Sequence, residues 1–137
     1  MASRSAADML QLPIRLRGIQ LGRAVDILLD LETWHVLGFV VRCRDESRRF
    51  LPLAACQTSA EEIAVGSALM LLEDLAFYTE RGASFRSLLG GEVQGGQLRD
   101  LVFDGTGLVT TLEIVVEGAT QQIPAAGALV VPTRAAA

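Results

Sequence analysis

Gly22-Arg23-Ala24-Val25-Asp26-Ile27-Leu28-Leu29-Asp30 is answered later in the chain by Gly96-Gln97-Leu98-Arg99-Asp100-Leu101-Val102-Phe103-Asp104. Gly22, Asp26 and Asp30 fall on Gly96, Asp100 and Asp104 at one offset of 74 residues (96 − 22). Downstream, Phe50-Leu51-Pro52-Leu53-Ala54 recurs as Gln122-Ile123-Pro124-Ala125-Ala126, where the offset has slipped to 72 (124 − 52). Self-similarity of this kind is the mark of one supersecondary unit used twice. It defines architecture first and chemistry second.

The residues around the motif read as short strands. Pro13-Ile14-Arg15-Leu16-Arg17-Gly18 alternates apolar and charged positions, as a strand with one wet face does. In the first motif Val25, Ile27 and Leu29 point one way and Ala24 and Leu28 the other, so both faces of that strand require cover; Leu101-Val102-Phe103 makes the same demand. Each motif ends in a turn, Asp30-Leu31-Glu32-Thr33 before Val36–Val41 and Asp104-Gly105-Thr106-Gly107 before Leu112–Val116. Asp-Gly between apolar runs is a strong hairpin signal. Pro52 and Pro124 cannot donate to a ladder, which puts them on edge strands or at strand starts. Glu61–Leu72 and Ala128–Val131 are expected to close each unit with a further apolar strand.

Between the units, Ser84-Phe85-Arg86-Ser87-Leu88-Leu89-Gly90-Gly91 has a serine to cap one or two helical turns and glycines to stop them. The organisation expected is therefore a flexible tail over 1–9, a first unit over 10–78 and a second over 79–134, with a short helical connector. The fold class is all-β.

Composition limits the function classes. The chain has 137 residues, half of them hydrophobic and 20% charged, which suits a folded body. Its net charge is −4. Residues 1–70 are neutral, with eight arginines against eight acids, and residues 71–137 carry the whole excess, with four against eight. Direct nucleic-acid binding normally leaves a basic footprint, so it is disfavoured here. No signal-peptide pattern is visible, and the longest nearly apolar run, Ile63 to Leu72, is about half of a membrane span. The expectation is a cytoplasmic protein with no membrane span.

This order of signals resembles the PRC-barrel family, whose members include the photosynthetic reaction centre H subunit and the C-terminal domain of a ribosome-maturation factor. The resemblance rests on Leu88-Leu89-Gly90-Gly91-Glu92-Val93, Gly96 to Asp104, Thr106-Gly107, Ile114-Val115-Val116 and Pro124, and in the first unit on Gly22 through Pro52. The first unit has Thr33-Trp34 where threonine-glycine is usual, and it lacks an opening leucine-glycine pair. The resemblance implies two tandem small PRC-type β-barrels related by pseudo-twofold symmetry. It also implies docking modules with no shared catalytic residues, and hence no cofactor.

The candidate site residues are weighed against that background. Two aspartates four residues apart on one strand lie about 13 Å apart, too far for a glycosidase pair. Asp30 and Asp104 are read as turn initiators, Asp26 and Asp100 as holding barrel-end backbone, and Gly22, Pro52, Gly96 and Pro124 as further structural positions. His35, the only histidine, has no nucleophile or ligand motif beside it and is read as an exposed turn residue. Cys43 and Cys56 lack metal-ligand spacing and read as small apolar residues, with a disulfide left open.

The candidate interaction surface is Trp34, Arg42, Arg44, Arg48, Arg49 and Tyr78. Trp34 is either an exposed anchor or packing between barrels. Arg42 and Arg44 share one strand face. Phe77 and Tyr78 are expected to pack against a barrel. The function expected is a non-enzymatic protein-binding or adaptor module, docking another protein or itself as a homo-oligomer. The alternative is a ribosome- or RNA-processing-associated factor.

Overall fold

The computed structural model describes residues 3–131. Met1 and Ala2 of the expected tail, and residues 132–134 of the expected second unit, lie outside the described residues.

The chain is mostly β with curled sheets, a barrel-like fold. Its elements in order are β1 (Arg4–Ser5), α1 (Ala6–Met9), β2 (Pro13–Leu16), β3 (Ile19–Asp30), β4 (His35–Cys43), β5 (Arg48–Pro52), β6 (Cys56–Thr58) and β7 (Ile63–Val65). Then come α2 (Leu75–Arg81), β8 (Ala83–Ser84), α3 (Phe85–Leu88), β9 (Glu92–Val93), β10 (Gly96–Phe103), β11 (Val109–Val116) and β12 (Ala119–Pro124). Short 3-10 turns occupy Leu53–Ala55 and Ala68–Met70.

Two sheets result. The first runs β5-β4-β3-β2-β7-β6, with β8 on β3; the second runs β1-β10-β11-β12, with β9 on β10. β1, from the start of the chain, thus belongs to the sheet built from the second half, and β8 belongs to the sheet of the first half. The registers match: Arg4 and Ser5 lie opposite Phe103 and Val102, while Ala83 and Ser84 lie opposite Leu29 and Leu28. The pairing of the long strands also slips at matching places, between Ala24/Asp26 and Leu28/Leu29 in one sheet and Leu98/Asp100 and Val102/Phe103 in the other. Such bulges re-aim side chains, and here the first slip in each sheet sets an aspartate, Asp26 or Asp100.

The expected flexible tail is corrected by this arrangement. Residues 4–9 are a strand and a helical turn, and Ala6 and Met9 are almost wholly buried. The physical reason is that the amphipathic Ala6–Met9 turn puts two apolar side chains inward while Ser5 caps it. The missing opening segment of the first half is here as well. Gln11 N–H donates to Ala24 O and Ala24 N–H to Leu12 O, as Gly90 N–H donates to Leu98 O and Leu98 N–H to Gly91 O. Gln11 stands at φ 72°, where Gly90 has φ 81°. A glutamine in a left-handed position hid the match.

One core runs through both sheets, joining Ile27, Leu29, Phe39 and Leu51 to Leu98, Leu101, Phe103 and Leu112, with Met9 and Phe85 from the exchanged arms. A second, smaller cluster of Val25, Leu28, Val40 and Phe50 fills the other face of β3 and β4, and Leu72, Leu75 and Tyr78 cover it. The other face of β3 is therefore covered by the α2 segment, not by the second sheet. β10 does not repeat this demand, because Val102 is only half-buried.

Pro52 and Pro124 end β5 and β12, both outermost strands, as their missing N–H requires. Glu61–Leu72 yields the short β7 and an isolated bridge from Leu72 to Phe50, and Ala128–Val131 only an isolated bridge between Val131 and Glu92. α3 with its Ser84 cap lies where the connector was expected, though Phe85 and Leu88 are core residues. α2 was not foreseen.

Replacing Met9 by alanine tests whether the arm is docked. A buried methionine truncation costs about 2–5 kcal/mol, and urea denaturation should show a loss of that order. An unchanged midpoint would mean that residues 4–9 do not hold the fold.

Candidate docking surface and the contacts that build it

Asp26 and Asp100 are the hubs joining the two halves. Asp100 Oδ2 accepts from the Ser5 hydroxyl, and its Oδ1 accepts from Ala7 N–H at 3.0 Å and Leu101 N–H at 2.7 Å. Asp26 Oδ2 accepts from the Ser84 hydroxyl, and its Oδ1 accepts from Arg86 N–H at 3.1 Å and Ile27 N–H at 2.8 Å. Each carboxylate therefore takes an orphan amide of a one-turn helix from the other half of the chain, in the place a capping group occupies. These aspartates are fixtures of the backbone, each accepting three hydrogen bonds.

Asp30 and Asp104 hold turns. Asp30 Oδ1 accepts from Glu32 N–H at 2.9 Å, and Asp104 Oδ1 accepts from Thr106 N–H at 2.8 Å, the Thr106 hydroxyl and Leu108 N–H at 3.2 Å. The Thr106 hydroxyl and amide, with the Leu108 and Gly107 amides, hold the Asp104 carboxyl below its ordinary value of 3.8. Ser47 does the same for Asp45, through its hydroxyl first and its amide second.

The two hairpin tips meet. Val36 N–H donates to Gly107 O at 2.8 Å and Val109 N–H to Trp34 O at 2.7 Å, with His35 bridged to Leu108 between them. Trp34 and Gly107 both have positive φ, 52° and 95°. A Cβ on Gly107 would lie 2.8 Å from the tip of the Leu53 side chain, which would have to shift, so the positive φ is what calls for glycine there. Trp34 is 5% exposed and donates its Nε1–H to Ala128 O at 3.3 Å. The reading of Trp34 as an exposed anchor is thereby corrected: the indole packs inside the shared core. His35 is half-buried, with Nδ1 3.2 Å from Thr33 O, and so is less open than expected.

The arginines separate. Arg23 lies directly opposite Arg42, and Arg42 directly opposite Arg48, so three exposed arginines form one row across β3, β4 and β5, with the Arg23 guanidinium donating to Gln11 O at 2.8 Å. Like charges facing each other across strands are destabilising. Arg44 is exposed farther along the β4 end of this face. Among the described residues the ion pairs are Arg15–Glu62 at 3.2 Å and Arg49–Glu73 at 3.3 Å, so the row has no acidic partner there and Arg49 stands apart from it. Arg23 was absent from the sequence-based cluster because only strand register brings it beside Arg42.

One same-face step from the row, Val40 pairs with Phe50, and Tyr78 stacks on the Phe50 ring at 4.0 Å. Phe77 is half-exposed, meets Tyr78 edge-on at 5.0 Å and carries the Arg81 guanidinium 3.6 Å above its ring. Tyr78 packs as expected, whereas Phe77 does not. An open groove of about 570 Å³ is lined by Arg49, Leu71, Leu72, Glu73, Phe77 and Tyr78.

Cys43 and Cys56 are free thiols. Burial pushes the Cys56 thiol up to about 12, and it donates to Leu53 O at 3.3 Å. Among the described residues no three His, Cys, Asp or Glu side chains are grouped to hold a metal ion, and no helix is long and apolar enough to cross a membrane. No family model matches the chain, and no curated protein matches it.

Two outcomes follow from these contacts. Trp34→Gly relieves a left-handed residue, worth about 1–2 kcal/mol, but empties a site where losing a buried aromatic costs about 3–5 kcal/mol. Denaturation should therefore show net destabilisation; a gain would mean that strain outweighs packing. For Asp104, the folded value lies below the unfolded one. Its stabilising contribution is present above the ordinary carboxylate range and is lost as pH falls through the lowered value. An NMR titration should find Asp104 below 3.8 and Thr106→Ala moving it back toward that value.

Proposed function

We propose that the chain is a non-enzymatic docking module built from two PRC-type barrels in tandem, related by a pseudo-twofold axis. The resemblance in motif order supports this reading. So do the matched bulges, the reciprocal Ser–Asp clamps and the pair of hairpin tips that exchange hydrogen bonds. Residues 4–9 precede the first unit in sequence and pair with the sheet of the second.

The observation that carries the docking role is the row Arg23–Arg42–Arg48. A chain with a net charge of −4 keeps three neighbouring exposed arginines with no ion-pair partner among the described residues, near the half-exposed Phe77 ring. Arginine and aromatic side chains are those enriched where binding energy concentrates. The partner that fits is a protein with an acidic surface. The clamped aspartates are spoken for by structure, and the proposed role needs no cofactor.

Crosslinking with mass spectrometry after capture from the source lysate tests the surface. The Arg42→Glu, Arg48→Glu variant should lose the acidic partner that the wild type retains. Identical partner lists would eliminate the arginine row. Retention of RNA in place of protein, with a clear slope against salt, would favour the ribosome-associated reading.

A further inference from the structure

The two halves treat their outer strands differently. In β5 the outward edge is occupied: Phe50 N–H donates to Leu72 O at 2.9 Å, and Leu72 N–H donates to Phe50 O at 2.8 Å. By the offset of 72 (122 − 50), Gln122 in β12 is the counterpart of Phe50.

The orientation of β12 follows from its register. Thr111 lies opposite Pro124, and Ala125 N–H donates to Thr110 O at 3.2 Å. Antiparallel ladders alternate hydrogen-bonded and non-bonded pairs. Ile123 and Gln121 therefore bond inward to β11, while Thr120, Gln122 and Pro124 turn their main-chain groups outward. Pro124, with no N–H, sits where none is needed. Among the described residues nothing bonds to the outward groups of Thr120 and Gln122. Every residue of β12 is exposed except Ile123, which is half-buried.

Open edges are normally blunted by charge, bulges or cover. This one carries a single terminal proline, and from Gly118 to Val131 there is no charged residue at all. Neutrality matters for what can bind there. A strand brought against its own twofold image would face like charges if it held any, and β12 holds none.

We propose that β12 pairs antiparallel with β12 of a second molecule of this chain, centred on Gln121. In that register Thr120 faces Gln122 of the other molecule, and each N–H finds the opposite carbonyl, giving four main-chain hydrogen bonds from two donors per strand. Pro124 then lies opposite Gly118, where the strand ends in its turn, which terminates the pairing and keeps the contact a closed dimer. The nearest charge, Glu117, lies beyond the paired stretch. This surface is separate from the arginine row and independent of its role.

Sedimentation velocity of the full chain from about 10 µM to about 1 mM, the range of weak association, tests the pairing. The wild type should rise from 14.7 kDa toward twice that mass. Gln122→Lys, which places two ammonium groups across the twofold, should hold the mass at the monomer value. Hydrogen exchange should find the Thr120 and Gln122 amides slowed about tenfold or more in the concentrated wild type and fast in the lysine variant. A wild type that stays monomeric throughout, or a lysine variant that dimerises equally well, would overturn the proposal. So would a monomer whose two amides are protected, since another segment of the same chain would then lie on the edge. Arg42→Glu, Arg48→Glu should leave the self-association unchanged, so failure of the docking surface and failure of the edge pairing read out separately.

Discussion

A helix of one turn cannot satisfy its own leading amides, and in this chain each such turn borrows a carboxylate from the opposite half. Ser5 and Ala7 reach Asp100; Ser84 and Arg86 reach Asp26. Everything else in the architecture is arranged around those two clamps. The bulges aim the aspartates, the arms they hold deliver Met9 and Phe85 into the core, and that core spans both sheets. A carboxylate with two or three donors converging on it is worth more than a neutral hydrogen bond. Removing it strands donors on both sides of the interface.

The two halves are built alike but finished differently. The first half has α2 and the segment leading into it, which close the Val25–Phe50 face and take the β5 edge through Leu72. The second half has no counterpart among the described residues. Glycine choices follow the same logic of close approach. A Cβ on Gly22 would run into the Arg42 carbonyl, and one on Gly96 would lie 2.8 Å from Val115 O. Both motifs thus need glycine where neighbouring strands crowd each other, whatever else differs between them.

The alternation of short apolar runs with Asp-led turns was legible in the residues themselves, as was the Ser84-capped connector, because these depend on neighbours in sequence. The roles of Asp30 and Asp104 were legible for the same reason. What could not be read depends on register and on distant partners. The tail looked polar and small because Ser5 and Ala6 acquire meaning only against Asp100 and the core, 95 residues away in the case of Ser5. Gln11 disguised a glycine position, Arg23 joined Arg42 only through strand pairing, and Trp34 at a loop tip turned inward because the other hairpin covers it.

The exchange of arms also dictates an order of events during synthesis. The first sheet cannot receive its β8 strand until residue 84 has been made, and Ser5 waits for Asp100. Contacts of such long sequence separation form slowly, since loop closure precedes their reward. A nascent chain that has emerged only through β7 thus holds an incomplete sheet, with β3 bare at Leu28 and Leu29 and Ser5 still without its carboxylate.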